Sequence, residues 1–148
     1  MKLGIVGAGM IVREFLPELK KLSGVEVVAL QGTQRSRERA EKLCAENKVA
    51  QVVYDFDALC ETGIDTVYVA VPNALHFSCC REALLRGKNV IVEKPMASNE
   101  REAVMLERLA KERGLFLFEA ITTLYLPALG KVREWLEKIG TLKIVQCQ

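Results

Sequence analysis

The chain has 148 residues, half of them hydrophobic and 27% charged, and carries a formal net charge of +2. That length suits one domain with a single substantial core. A charge this small and this evenly spread gives no sign of a nucleic-acid surface, and no apolar run is long enough to span a bilayer or patterned as a signal peptide.

The chain opens on Lys2 to Val12, KLGIVGAGMIV. Leu3 to Val6 read as a short buried strand, Gly7-Ala8-Gly9 as a sharp turn, and Met10 as the start of a helix. A strand, a glycine turn and a helix in that order form a unit that binds a dinucleotide pyrophosphate. Gly7 permits the turn, and Gly9 has no side chain to hold phosphates away from the backbone. The helix start at Met10 and Ile11 offers free N–H groups and the positive end of the dipole. The full fingerprint wants a third small residue at position 12, where this chain has Val12.

Helical patterns follow at Met10 to Leu22, Ser36 to Glu46, Asp57 to Glu61, Asn73 to Arg86, Asn99 to Arg113 and Leu129 to Ile139. Pro17 falls inside the first and is expected to kink or break it. Strand patterns fall at Glu26 to Leu30, Gln51 to Tyr54, Thr66 to Val71, Asn89 to Val92, Leu115 to Phe118 and Leu142 to Val145. Gly24, Gly63, Gly87, Gly114 and Gly140 each follow a helix, where a left-handed residue is needed. The alternation predicts a doubly wound parallel α/β sheet in the strand order 3-2-1-4-5-6, with Thr66 to Val71 central and covered on both faces.

Five cysteines, Cys44, Cys60, Cys79, Cys80 and Cys147, are odd in number, and no pair has C-x-x-C spacing. They read as reduced thiols of a cytoplasmic protein, and no metal site is expected.

The residue ending the second strand of such a unit decides the dinucleotide. A carboxylate there bonds the ribose hydroxyls of NAD, whereas a ribose phosphate needs a cation and neutral donors. Gln31 to Arg35 contains no carboxylate, and Thr33, Arg35, Ser36 and Arg37 can meet a phosphate. NADP is therefore favoured over NAD, the alternative being that Arg35, Arg37 and Arg39 are a solvated face.

Two later stretches are more specific than the glycines. Val71-Pro72-Asn73-Ala74-Leu75-His76 follows the fourth strand, and Gly87-Lys88-Asn89-Val90-Ile91-Val92-Glu93-Lys94-Pro95 contains the fifth. With the opening glycine turn, this sequence resembles the Gfo/Idh/MocA oxidoreductases from Lys2 to about Pro127. The resemblance implies a Rossmann-type domain over residues 1–120 and the start of a truncated C-terminal α+β domain over residues 121–148. It implies hydride transfer between NADP or NAD and a sugar, polyol or related hydroxy compound, with Lys94 catalytic. A lysine past a strand's carboxyl end can bond a substrate hydroxyl and move its proton. Glu93 shares that active-site position. Val71, Pro72, Asn73 and His76 are expected at the nicotinamide end. For His76 the alternative is a helix N-terminal residue bonded to backbone. Glu119 can border the pocket as the chain enters the second domain.

Family members are more than twice as long, and their second half supplies the substrate pocket, a further catalytic histidine and the oligomer surface. No histidine follows His76 here. The expectation is a nucleotide-binding portion that binds without turnover. It also includes a homodimer formed through the last strand or the helix around Trp135. A non-catalytic dinucleotide sensor is the alternative. A third reading is an interaction domain whose site Val12 blocks.

Overall fold

The computed structural model describes residues 1–141, 143, 144 and 146. Six parallel strands form one sheet in the order β3-β2-β1-β4-β5-β6. They are β1 (Lys2–Val6), β2 (Glu26–Gln31), β3 (Gln51–Val53), β4 (Thr66–Val69), β5 (Asn89–Glu93) and β6 (Leu117–Ala120). The helices are α1 (Met10–Leu19), α2 (Arg37–Asn47), α3 (Phe56–Glu61), α4 (His76–Leu85), α5 (Glu100–Glu112) and α6 (Pro127–Leu136). The expected order is the observed one, and all four residues of β4 are buried between β1 and β5.

Side chains alternate across the sheet because successive strand residues face opposite sides. Leu3 and Ile5 join Val12 and Leu16 of α1 and Leu43 of α2 on one face. Val6, Val67, Val69, Val90 and Val92 join Leu59, Leu84 and Leu106 on the other. Asp55 and Asn99 cap α3 and α5 by accepting from Ala58 N at 2.7 Å and Glu102 N at 3.0 Å. The five expected helix-stop glycines all have positive φ.

Several boundaries differ from the sequence reading. α1 runs through the exposed Pro17 and ends at Leu19, short of Leu22. A proline lacks the amide that would bond the carbonyl four residues back, and near a helix end on the solvent side water can take that carbonyl's place. β6 begins at Leu117, two residues late. The amides before it are already taken: Leu115 N by Ala110 O at 2.9 Å, and Phe116 N by the Asn89 side chain at 3.0 Å. β4 stops at Val69. Ala70 N adds one more bond to Val6 O at 2.9 Å, and Pro72 has no amide to continue the ladder. Residues Asn73–Leu75 form a 3-10 turn ahead of α4. α6 starts at Pro127 and ends at Leu136, where proline suits the first turn. Leu142 and Val145, the ends of the expected seventh strand, lie outside the described residues.

Candidate functional site

The strand order reverses between β1 and β4, so a crevice opens at their carboxyl ends. Gly7 stands there at φ +115, and a Cβ at this position would lie 2.2 Å from the Ala70 carbonyl oxygen. Only glycine fits this approach. Gly9 is the N-cap of α1 and makes no side-chain cap. A Cβ built on Gly9 meets nothing within 4 Å, so the turn is open where Gly7 is closed. Met10 and Ile11 are exposed in the first helical turn. Val12 points into the core beneath the turn, beside Ile5 and Leu16. It therefore does not block the open side of Gly9, and the departure from the fingerprint is absorbed as packing.

β2 ends on Gln31, whose side-chain oxygen is buried without a partner among the described residues. Thr33 and Ser36 cap each other: Thr33 N donates to Ser36 Oγ at 2.8 Å, and Ser36 N donates to Thr33 Oγ1 at 3.3 Å. That exchange fixes the loop and leaves Arg35 exposed at its tip. Arg37 is committed elsewhere. It donates to Glu41 at 3.0 Å and lies 5.0 Å from the centre of the Tyr54 ring.

At the other end, Lys94 is exposed immediately past β5, and the Lys94–Pro95 peptide is cis. Glu93 is half-buried, and its carboxylate accepts from the Tyr68 hydroxyl at 2.6 Å. Burial, and then Glu93 itself, raise the Tyr68 phenol well above its ordinary range, so it stays a neutral donor. Phe15 packs against the Tyr68 ring at 5.3 Å. Val71 is half-buried, while Pro72 and Asn73 are exposed in the turn after β4.

His76 and Glu119 both engage backbone of other loops. His76 is 0% exposed, with its ring nitrogens 2.6 Å from Pro95 O and 2.9 Å from Val71 O. Direct contact with a ligand does not fit that burial, and bonding to backbone at the helix start does. Glu119 accepts from Met96 N at 2.8 Å, so its carboxylate holds the loop beyond Pro95.

Residues 1–121 match the family model described as "Oxidoreductase family, NAD-binding Rossmann fold". The chain belongs to the Gfo/Idh/MocA oxidoreductase family. It is 33% identical over 144 residues to the scyllo-inositol 2-dehydrogenase (NADP(+)) of Bacillus subtilis, covering 97% of this chain and 43% of that protein. It is 30% identical over 149 residues to the trans-1,2-dihydrobenzene-1,2-diol dehydrogenase of Sus scrofa, covering 99% and 44%. A crystal structure of a 3-ketoreductase from Actinomadura kijaniata in complex with NADP and TDP-benzene superposes with a TM-score of 0.87 at 31% identity, covering 93% of this chain and 42% of that one. The chain thus spans less than half the length of these relatives.

Within this Gfo/Idh/MocA fold, one group escaped the sequence reading. Arg13, Arg39 and Lys42 line a cleft of about 570 Å³ that also touches Gly9 and Met10. Arg39 reaches the Ala8 carbonyl at 3.5 Å, a long contact. The available signal was spacing: positions 39 and 42 share a face of α2. Burial pushes the thiol pKa of Cys44 up to about 11 and that of Cys80 up to about 12. Among the described residues no helix is long and apolar enough to cross a membrane.

Proposed function

We propose that this chain is the dinucleotide-binding portion of a dehydrogenase acting on a polyol, sugar or diol. The observation that carries the reading is the open, uncapped turn at Gly9, on the same edge of the sheet as Lys94. The cofactor's fit rests on that open turn, on the orphaned Gln31 oxygen and on the exposed Arg35. NADP is favoured because no carboxylate stands from Gln31 to Arg35. The names of the Bacillus subtilis relative and the Actinomadura kijaniata structure, which include NADP, support this choice.

Gly7, Gly9, Met10 and Ile11 would hold the pyrophosphate, and Thr33, Arg35 and Ser36 the adenosine ribose phosphate. Val71, Pro72, Asn73, Glu93 and Lys94 would border the nicotinamide, which when bound supplies the hydride acceptor or donor. Lys94 bonds the substrate hydroxyl and carries its proton. The Tyr68 hydroxyl holds the Glu93 carboxylate in place beside it.

Residues 1–120 form the nucleotide unit in this reading, and residues 121–148 begin a C-terminal α+β substrate domain. The end of the family match at residue 121 supports the boundary, as does the absence of buried residues in α6. Exposed Leu124, Tyr125, Val132 and Trp135 suit a contact with that domain or, in its place, between two copies of the chain. In this reading the protein is cytoplasmic, which the free thiols of Cys44, Cys60, Cys79 and Cys80 support. A fluorescence titration with NADPH and NADH, followed by an assay with inositols and diols, tests the reading. Saturable binding without turnover by the 148 residues is expected. No binding of either cofactor at millimolar concentration contradicts it.

A further inference from the structure

His76 is the only histidine in the sequence. Its ring sits fully buried at the start of α4, with Nδ1 2.6 Å from the Pro95 carbonyl oxygen and Nε2 2.9 Å from the Val71 carbonyl oxygen. The two carbonyls belong to different loops. One leaves β4, and the other immediately follows Lys94. Both are acceptors with no hydrogen to give. A neutral imidazole has one N–H and one lone pair, so it satisfies one carbonyl and repels the other. Both bonds form together only when both nitrogens carry hydrogen. The Pro95 loop is also held from its other side, where Met96 N donates to Glu119 at 2.8 Å.

We propose that His76 is a positioning residue: a doubly protonated ring that ties the Val71 turn to the Pro95 turn and so fixes the backbone carrying Lys94. What that backbone serves rests on the dinucleotide reading above, while the state of the ring does not.

Charged and titratable groups on the segments around the ring are few. Glu93 and Lys94 precede Pro95, and Glu119 takes the next amide. The stretch from Val71 to Asn73 contains none, and α4 itself adds Cys79, Cys80, Arg81 and Glu82. The carboxylates favour a cationic ring, whereas burial, Lys94, Arg81 and the helix N-terminus oppose one. In the proposed clamp, two carbonyl dipoles at hydrogen-bonding distance outweigh that opposition. A buried cation survives only when it is bonded in this way.

A single histidine makes the test direct. Histidine labelled with ¹⁵N gives one imidazole in a long-range ¹⁵N–¹H correlation. At neutral pH both nitrogens should show the protonated signature, with two slowly exchanging ring N–H protons. One pyridine-type nitrogen overturns the proposal. A second arm measures affinity for NADPH and for adenosine 2′,5′-bisphosphate, which lacks the nicotinamide half. His76→Phe should weaken NADPH about tenfold and the bisphosphate by less than about twofold, as expected for losing bonds at one end of the site. His76→Gln, whose amide has two N–H donors, should recover part of the NADPH loss. Equal losses for both ligands, or none, overturn the positioning role. If His76→Phe does not fold, the spectrum and the Gln variant decide. If the unaltered chain binds neither ligand, the dinucleotide reading falls, and the nitrogen spectrum alone judges the clamp.

Discussion

At the amino ends of the strands the chain supplies its own partners. The Asp65 carboxylate accepts from Lys2 N at 2.8 Å and from the Thr66 hydroxyl at 2.6 Å. Lys88 Nζ donates to Ile64 O at 2.8 Å, and Asn89 accepts from Phe116 N at 3.0 Å. At the carboxyl ends the pattern reverses: α1 has no side-chain cap, the Gln31 oxygen has no partner among the described residues, and Lys94 stands exposed. Native chains rarely leave buried polar groups unmatched, so the Gln31 oxygen fits the ligand edge proposed above. The amino edge is closed by its own partners, and the carboxyl edge is left open.

Substitutions at the two glycines of the turn separate these roles most strongly. Gly7→Ala places a methyl against Ala70 O at a positive φ and should cost about 3 kcal/mol of stability, read from chemical denaturation. An unchanged midpoint would mean that β1 and β4 do not meet this closely. Gly9→Val puts its Cβ in open space, and the weaker N-cap should cost no more than about 1 kcal/mol of stability. It should nevertheless weaken NADPH about thirtyfold, or about 2 kcal/mol, by keeping the pyrophosphate from the backbone. Loss of stability at Gly9 in step with affinity would erase the distinction between the two glycines.

Arg35→Ala sharpens the comparison within the carboxyl edge. NADPH should bind about 1–3 kcal/mol more weakly, the worth of a charge-assisted bond to phosphate, with NADH nearly unchanged in the same calorimetric titration. Equal losses for the two cofactors would return Arg35 to a solvated face.

The smallest effect belongs to the amino edge. The Thr66 hydroxyl holds Asp65 below its ordinary carboxylate value against the opposing effect of burial, with a smaller contribution from the Lys2 amide. A lowered folded value means that the stabilisation is complete above about pH 4 and is lost as pH falls through that folded value. Asp65→Asn should flatten the acid limb of the stability curve below pH 4 and leave NADPH affinity untouched. An acid limb as steep as the parent's would remove Asp65 from the account.

The parts legible in the sequence are those that local pattern dictates. The unbroken apolar run from Thr66 placed β4 at the centre, and Glu93-Lys94-Pro95 after an apolar strand placed Lys94 at its carboxyl end. The parts that escaped depend on partners distant in sequence. β6 starts late because the Asn89 side chain, 27 residues earlier, takes the Phe116 amide. The bond between Tyr68 and Glu93 spans 25 residues, and that between His76 and Pro95 spans 19. No periodicity reveals such meetings, which is why the sequence leaves His76 open between a ligand contact and a helix-start residue bonded to backbone, while the fold buries it against the Pro95 and Val71 carbonyls. Arg39 likewise reads as one more surface charge until α2 brings it to the glycine turn.

Chemical-shift mapping of the ¹⁵N-labelled chain during titration with NADPH tests the central claim most directly. The perturbed amides should cluster at Gly7 to Val12, at Thr33 to Ser36 and at Glu93 to Lys94, all at the carboxyl edge of the sheet. The amides of Lys2, Asp65, Thr66 and Asn89 should stay in place. Saturable shifts centred on that second group, or no saturable shift anywhere, would contradict the account.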